Sequence, residues 1–239
     1  MSNNNFESLV KNFLQNQKIE YTDHFYINQT QFGRSLFNMN WAKEICGTPN
    51  VILDIGCYDG GDSIRFLQRY PDCKVYSFEA SPERQSKIES YSNEYGFKLI
   101  KSAVMDYDGV VEFYNSLVDN QRIDAQGSIY KHSNNYKKKY PRIQQLPNSI
   151  MVECITIETF CKKNNIDAID VAHIDVEGAE LNVIKGFGNF LPKIVYIETL
   201  GDEMFLNGSK VKDIDDFLIS KNYFLAKDLI SDRLYVQRL

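Results

Sequence analysis

One stretch limits the fold more than any other: Val51-Ile52-Leu53-Asp54-Ile55-Gly56-Cys57-Tyr58-Asp59-Gly60-Gly61-Asp62-Ser63. Val51, Ile52, Leu53 and Ile55 form a short apolar run rich in β-branched residues, which suits a strand covered on both faces. Gly56 and Gly60 let the backbone bend and let a ligand come close. Ile64, Phe66 and Leu67 begin a helical pattern that ends near Tyr70, before Pro71. Strand, glycine turn and helix in this order form the ligand-binding corner of a doubly wound α/β sheet.

The composition of the turn narrows the ligand. A phosphate-binding turn presents backbone N–H groups and a helix N-terminus to negative charge. Here Asp54 ends the strand, and Asp59 and Asp62 lie in the turn, where they repel a pyrophosphate and attract a cationic ligand. S-adenosylmethionine carries an ammonium and a sulfonium and has no phosphate. The spacing Gly-x-x-x-Gly-Gly is neither that of a dinucleotide site nor that of a P-loop. Val75-Tyr76-Ser77-Phe78-Glu79 is a second short strand ending in an acid about 20 residues past the turn, the position from which a carboxylate accepts from ribose hydroxyls. The site residues proposed for the cofactor are Asp54, Gly56, Cys57, Tyr58, Gly60, Asp62, Ser63, Glu79 and Ala80, with Ser102 and Ala103 at the end of the next strand bordering the adenine.

The rest of the chain alternates between strand and helix patterns, which predicts one α/β domain over 49–239 after a helical extension over 1–48. Phe6, Leu9, Val10, Phe13 and Leu14 mark a first amphipathic helix, read as docked on the body, with a lid or a homodimer arm as the alternative. Residues 20–31 read as a loop, and a second helix runs through Leu36 to Ile45. Ser81-Pro82-Glu83 opens a helix that runs to about Gly96, and 97–101 is the third strand. Asp108-Gly109 signals a hairpin. Residues 115–149 are a polar insertion, read as a lid or substrate region; Arg122, Lys131, His132 and Arg142 in it are candidates to meet an acidic substrate. Strands follow at Met151–Ile155, at Ile169–Ile174 and at Lys193–Glu198. Gly186 is placed as the C′ residue of the helix after the second of these. Ser209 caps a helix through Leu218, and two strands close the chain.

The balance of 27 basic and 32 acidic residues gives no basic stripe, so neither nucleic acid nor an anionic membrane is an expected partner. No apolar run is long enough for membrane insertion. Five cysteines without a Cys-x-x-Cys pair suit reduced thiols in a cytoplasmic protein.

Four segments in order carry a resemblance: 54–63, Phe78-Glu79-Ala80-Ser81-Pro82, Ser102-Ala103-Val104, and Ile174-Asp175-Val176-Glu177-Gly178-Ala179-Glu180. Together they resemble the FkbM family of adenosylmethionine-dependent methyltransferases. The resemblance implies the class I methyltransferase fold, Rossmann-like, with a seven-stranded sheet whose last strand is antiparallel. It also implies O-methylation of a hydroxyl on a sugar, glycan or other small-molecule acceptor, a secondary metabolite such as a polyketide included. Tyr58 stands where the family usually has Asn, Ala80 where it has Pro, and His173 where Lys precedes Ile-Asp-Val-Glu-Gly.

Methyl transfer to a hydroxyl needs alignment and a destination for the proton. In this fold the end of the fourth strand faces the transferred methyl. Asp175, Glu177 and His173 are therefore the candidate catalytic residues: Asp175 anchors the acceptor or a metal, and His173 or Glu177 takes the proton. The sequence has no His-rich ligand set, so no divalent metal is expected, although Glu198 is placed to complete an acidic cluster. Two readings compete. One is a methyltransferase-like module that binds adenosylmethionine without turnover, supported only by the departure at His173. The other is a nicotinamide-dependent oxidoreductase, which the acidic glycine turn disfavours.

Overall fold

A computed structural model describes residues 3–19, 24–119, 121–122 and 126–238. Its centre is a seven-stranded sheet. The strands are β1 (Val51–Ile55), β2 (Lys74–Phe78), β3 (Lys98–Ile100), β4 (Val171–Ile174), β5 (Ile194–Glu198), β6 (Tyr223–Asp228) and β7 (Asp232–Gln237). They lie side by side in the order β6-β7-β5-β4-β1-β2-β3. β1 to β5 pair in parallel with one another, and β7 runs antiparallel between β5 and β6. Strand order reverses between β1 and β4, so the carboxyl ends of these two strands open the crevice where open α/β sheets bind ligands.

Both faces of the sheet are covered, as the apolar strands require. Successive side chains of β1 point to opposite faces. Ile52 joins a core with Val10 and Leu14 of α1 (Asn3–Gln15), Trp41 of α2 (Asn40–Cys46), Phe66 of α3 (Gly61–Arg69) and Ile88 of α4 (Pro82–Tyr95). The short helix α5 (Asn134–Lys139) belongs to the insertion described below. Leu53 and Ile55 join the opposite core with Phe160 of α6 (Ile157–Asn164), Val183 of α7 (Glu180–Lys185), and Ile214 and Leu218 of α8 (Val211–Ser220). Among the described residues no helix is long and apolar enough to cross a membrane, and all five cysteines are free thiols.

Several expectations need correction. The N-terminal extension is not purely helical: an antiparallel hairpin, His24–Ile27 with Thr30–Gly33, occupies most of the expected loop, whose remaining residues 20–23 lie outside those described. Strand Gly109–Phe113 forms no hairpin with Ala103–Val104. Ile150–Ile155 lies between the two, parallel to one and antiparallel to the other. The insertion carries its own structure: short strands Ser116–Val118 and Ile143–Gln145 pair, and Lys131–His132 pairs with Phe205–Leu206. Helix α5 follows, capped by Ser133 Oγ, which accepts from Asn135 N and Tyr136 N.

Two local signals serve other ends than expected. Gly186 has φ −69°, so it supplies no left-handed turn; a Cβ there would lie 2.1 Å from Met105 O, and it is the close approach that excludes a side chain. Ser209 does not cap α8. Its Oγ accepts from Leu181 N at 2.8 Å and donates to Gly178 O at 2.9 Å, which ties down the start of α7.

Candidate active site

The turn after β1 rests on β2 and β4. Gly56 N and Cys57 N both donate to Phe78 O at 3.0 Å, and Asp175 N donates to Ile55 O at 2.9 Å. Gly56 has φ +84°, and a Cβ on it would lie 1.7 Å from Asp175 O. The glycine is therefore needed twice, for its conformation and for the contact between the first turn and the end of β4. Tyr58 also sits in the left-handed region, at φ +52°, which Asn adopts more readily than Tyr. Its N–H donates to Glu79 Oε2 at 3.1 Å, and the Arg84 guanidinium lies 4.2 Å from its ring centre.

Two adjoining clefts open at this point and share Gly56, Tyr58, Asp175 and Glu177. The first is apolar, bordered by Phe78, Ala80, Ala103, Val104, Met105 and Phe113, with Glu79 and Ser102 on its rim. Glu79 is buried, and its Oε1 accepts from Ser81 N at 2.8 Å. The apolar cleft thus lies beside the carboxylate that follows β2. The second cleft has a volume of about 490 Å³ and is strongly acidic. Asp54, Cys57, Asp59, Asp62, His173, Asp175, Glu177, Glu198 and Asp232 line it, with Arg34 from the N-terminal segment. Gly60 and Ser63 border neither cleft; they support the turn from behind.

The turn's carboxylates are held by protein groups. Asp54 accepts from Ser63 Oγ, which also lies 2.6 Å from Ser77 Oγ, and from His173 Nδ1 at 2.9 Å. Asp59 accepts from Gly33 N at 2.8 Å and Gly61 N at 3.0 Å. Burial raises the pKa of Asp59, against the two backbone donors. Asp62 accepts from Ser35 N at 2.8 Å and pairs with Arg65. Asp59 and Asp62 thus fasten the segment after the hairpin onto the glycine turn.

His173 is buried, its ring stacked on Tyr196 at 5.5 Å between centroids. Burial alone would lower its pKa. The hydrogen bond to Asp54 and the charges of Asp62, Asp54 and Asp175 outweigh it and raise the value to about 9. A histidine held protonated is a poor proton acceptor at neutral pH, which weighs against His173 as the base.

Beyond it, the carboxylates of Asp175, Glu177 and Glu198 converge, with one oxygen of each within 4.8 Å of the others. Asp175 follows β4 and Glu198 ends β5, so adjacent parallel strands deliver them to one edge. Glu177 reaches the same place because its backbone is left-handed, at φ +54°. Burial raises the pKa of all three, and their mutual repulsion adds to the effect at Glu177 and Glu198; His173 opposes it at Asp175. Asp232, also raised by burial, to about 6, borders the same cleft. Its role had no signal in the sequence, since it lies on the antiparallel strand β7.

The insertion's basic residues face elsewhere. Arg142 is exposed and paired with Asp119, Lys131 lies 5.3 Å from the Tyr114 ring centre, and His132 is buried against Tyr136 at 3.8 Å. The Arg122 side chain lies outside the described residues.

The Methyltransferase FkbM domain model matches residues 54–225, from the acid of the first turn into β6. The chain belongs to the FkbM methyltransferase family. It is 31% identical over 175 residues to the 2-O-methyltransferase NoeI of Sinorhizobium fredii (strain NBRC 101917 / NGR234), a match covering 71% of each protein. Solved structures that align with it include a putative caffeoyl-CoA O-methyltransferase from Staphylococcus aureus (15% identity, TM-score 0.45, 97% of this chain and 91% of that one). Another is an O-methyltransferase family protein from Burkholderia thailandensis (9% identity, TM-score 0.46), where the match covers 84% of this chain and 54% of that one. The seven-stranded sheet with antiparallel β7 is the class I methyltransferase arrangement that the resemblance implied.

Proposed function

We propose that this FkbM-family enzyme transfers a methyl group to a hydroxyl of a sugar or glycan acceptor seated in the acidic cleft. The observation that carries the reading is the meeting of Asp175, Glu177 and Glu198 where the acidic cleft joins the adenosine slot. The 2-O-methyltransferase NoeI, similar over most of both chains, supports transfer to oxygen.

In this reading the apolar slot, Ala80 and Ala103 included, holds the adenine and Glu79 the ribose, while the backbone of Gly56, Cys57 and Tyr58 lines the path toward the second cleft. Bound adenosylmethionine supplies an electrophilic methyl on a sulfonium, so the protein need not activate the donor. Its work is to align the acceptor oxygen and to remove a proton from it. Asp175 and Glu177 border both clefts and are assigned to the acceptor hydroxyl; the proton passes to this carboxylate cluster. Of the three, Asp175 is the one whose ionised, proton-accepting form the neighbouring His173 charge favours. His173 is a positioning residue that fixes Asp54 and the first turn. The preponderance of acids selects neutral acceptors over phosphorylated or uronate ones.

Replacing Asp175 tests the assignment. Asp175→Ala is expected to bind adenosylmethionine in a calorimeter as the parent does and to release no adenosylhomocysteine with glycan acceptors. Full methyl transfer by that variant would overturn it.

A further inference from the structure

Acidic clusters are common on proteins and do not by themselves make a site. This one has a second property. Glu177 is only 8% exposed, and its Oε2 is sealed from solvent with no hydrogen-bond partner. A buried carboxylate oxygen left without a partner costs free energy whether the group is ionised or neutral. Among the described residues, one carboxylate oxygen each of Asp175 and Glu198 lies within 4.8 Å of a Glu177 carboxylate oxygen. Protonation relieves the repulsion, and a protonated carboxyl donates to a neighbour, as in the hydrogen bond between Asp175 and Glu198. A divalent cation on the three oxygens balances their charge as well.

The donor set defines which cation. All three groups offer oxygen, and no cysteine or histidine is among them. His173, the nearest imidazole in the sequence, is committed to Asp54 through Nδ1, with Nε2 3.9 Å from Asp62. Oxygen-only sites suit hard divalent ions and disfavour zinc or copper. Gln126, whose Oε1 is likewise buried and without a partner, lines the same cleft. Partial opening of Asp175 and Glu198 to the cleft leaves room for water or an acceptor oxygen on the ion, as magnesium sites usually retain.

We infer that Asp175, Glu177 and Glu198 form a binding site for a hard divalent cation, Mg²⁺ or Mn²⁺, on the acceptor side of the cleft. Its use rests on the methyl-transfer reading: the ion takes the acceptor oxygen as a ligand and favours its ionisation, and the proton moves from that oxygen to a carboxylate oxygen not engaged by the metal. The site itself does not depend on that use.

The test is Mn²⁺ binding to the EDTA-stripped, dialysed full chain, followed by the electron paramagnetic resonance signal of free Mn²⁺, with Mg²⁺ as competitor. Wild type is expected to bind Mn²⁺ in equimolar amount and to release it to Mg²⁺. Glu177→Gln and Glu198→Gln should each weaken binding about tenfold or more. Circular dichroism checks that both variants fold, and Glu198→Gln, which borders only the acidic cleft, should still bind adenosylmethionine. Failure of wild type to bind Mn²⁺, or equal binding by the folded variants, overturns the site. If stripped protein without bound metal methylates acceptors at the full rate, the proposed use of the ion fails and the enzyme reading stands. If Mn²⁺ binds as described but no hydroxyl acceptor is methylated, the site stands and the enzyme reading fails.

Discussion

Gly56→Ala is the sharpest probe of how the cofactor turn and the acceptor site are joined. At φ +84° an alanine meets the left-handed penalty, about 1–2 kcal/mol. Its Cβ would also stand 1.7 Å from Asp175 O, where Cβ contacts essentially never fall below 3.0 Å, so one of the two segments must retreat by more than 1 Å. Overpacking of a tight site costs about 1–3 kcal/mol, giving a total of roughly 2–5 kcal/mol. With a urea m-value of about 2–3 kcal/mol/M, the midpoint should fall by about 0.7–2.5 M. Trp41, the sole tryptophan and fully buried, reports the transition by fluorescence. The same retreat moves Asp175 or the turn out of register, and a misplacement of about 1 Å can cost about a hundredfold in rate. A variant with an unchanged urea midpoint would refute the contact. One that is destabilised yet keeps the parent's kcat and KM would refute the claim that the contact aligns the site.

Two further outcomes follow from the geometry. Glu79→Ala should weaken adenosylmethionine binding roughly ten- to a hundredfold, the worth of hydrogen bonds to a charged group; an unchanged Kd by calorimetry would remove Glu79 from the ribose site. His132, stacked on Tyr136, links the insertion to the body through Phe205, and burial lowers its pKa from the ordinary 6.5 to about 4. Between those values the unfolded chain binds a proton that the folded one does not. The contribution is therefore intact above pH 6.5 and is lost as pH falls toward 4, by about 3 kcal/mol. His132→Phe should flatten that part of the stability curve measured by urea unfolding, and parallel curves for the two proteins would contradict the assignment.

What the sequence revealed was local. The β1 turn was legible because β-branched residues, Gly56, Gly60 and a helical period lie next to one another. The hairpin at 24–33 was not, since its turn is Asn28-Gln29, both at positive φ, without the glycine that usually marks such turns. Strands of two or three residues in the insertion are too short to show a period. The site was legible in part. Asp59 and Asp62 drew notice as carboxylates, but their partners, Gly33 N and Ser35 N, are 26 and 27 residues away, a pairing no local pattern encodes. Asp232 and the orphaned oxygen of Glu177 emerge only once β7 and the left-handed turn after β4 are in place.

The departure at His173 illustrates how a residue can change while its physical task persists. The family usually carries Lys at this position, and the exchange to an imidazole is what supported a cofactor-binding module without turnover. In the fold the side chain lies between Asp54 and Asp62, stacked on Tyr196. Asp54, fully buried, and Asp62, partly buried, favour a cation there, and with Asp175 they raise the imidazole's pKa to about 9. Histidine thus retains the positive charge that lysine would bring, and it does so within a shorter side chain steadied by an aromatic face. The charge serves Asp54 and the turn, while Asp175, Glu177 and Glu198 meet farther along the cleft. The exchange therefore leaves in place the carboxylates proposed to accept the proton, and the inactive-module reading loses the one feature that favoured it.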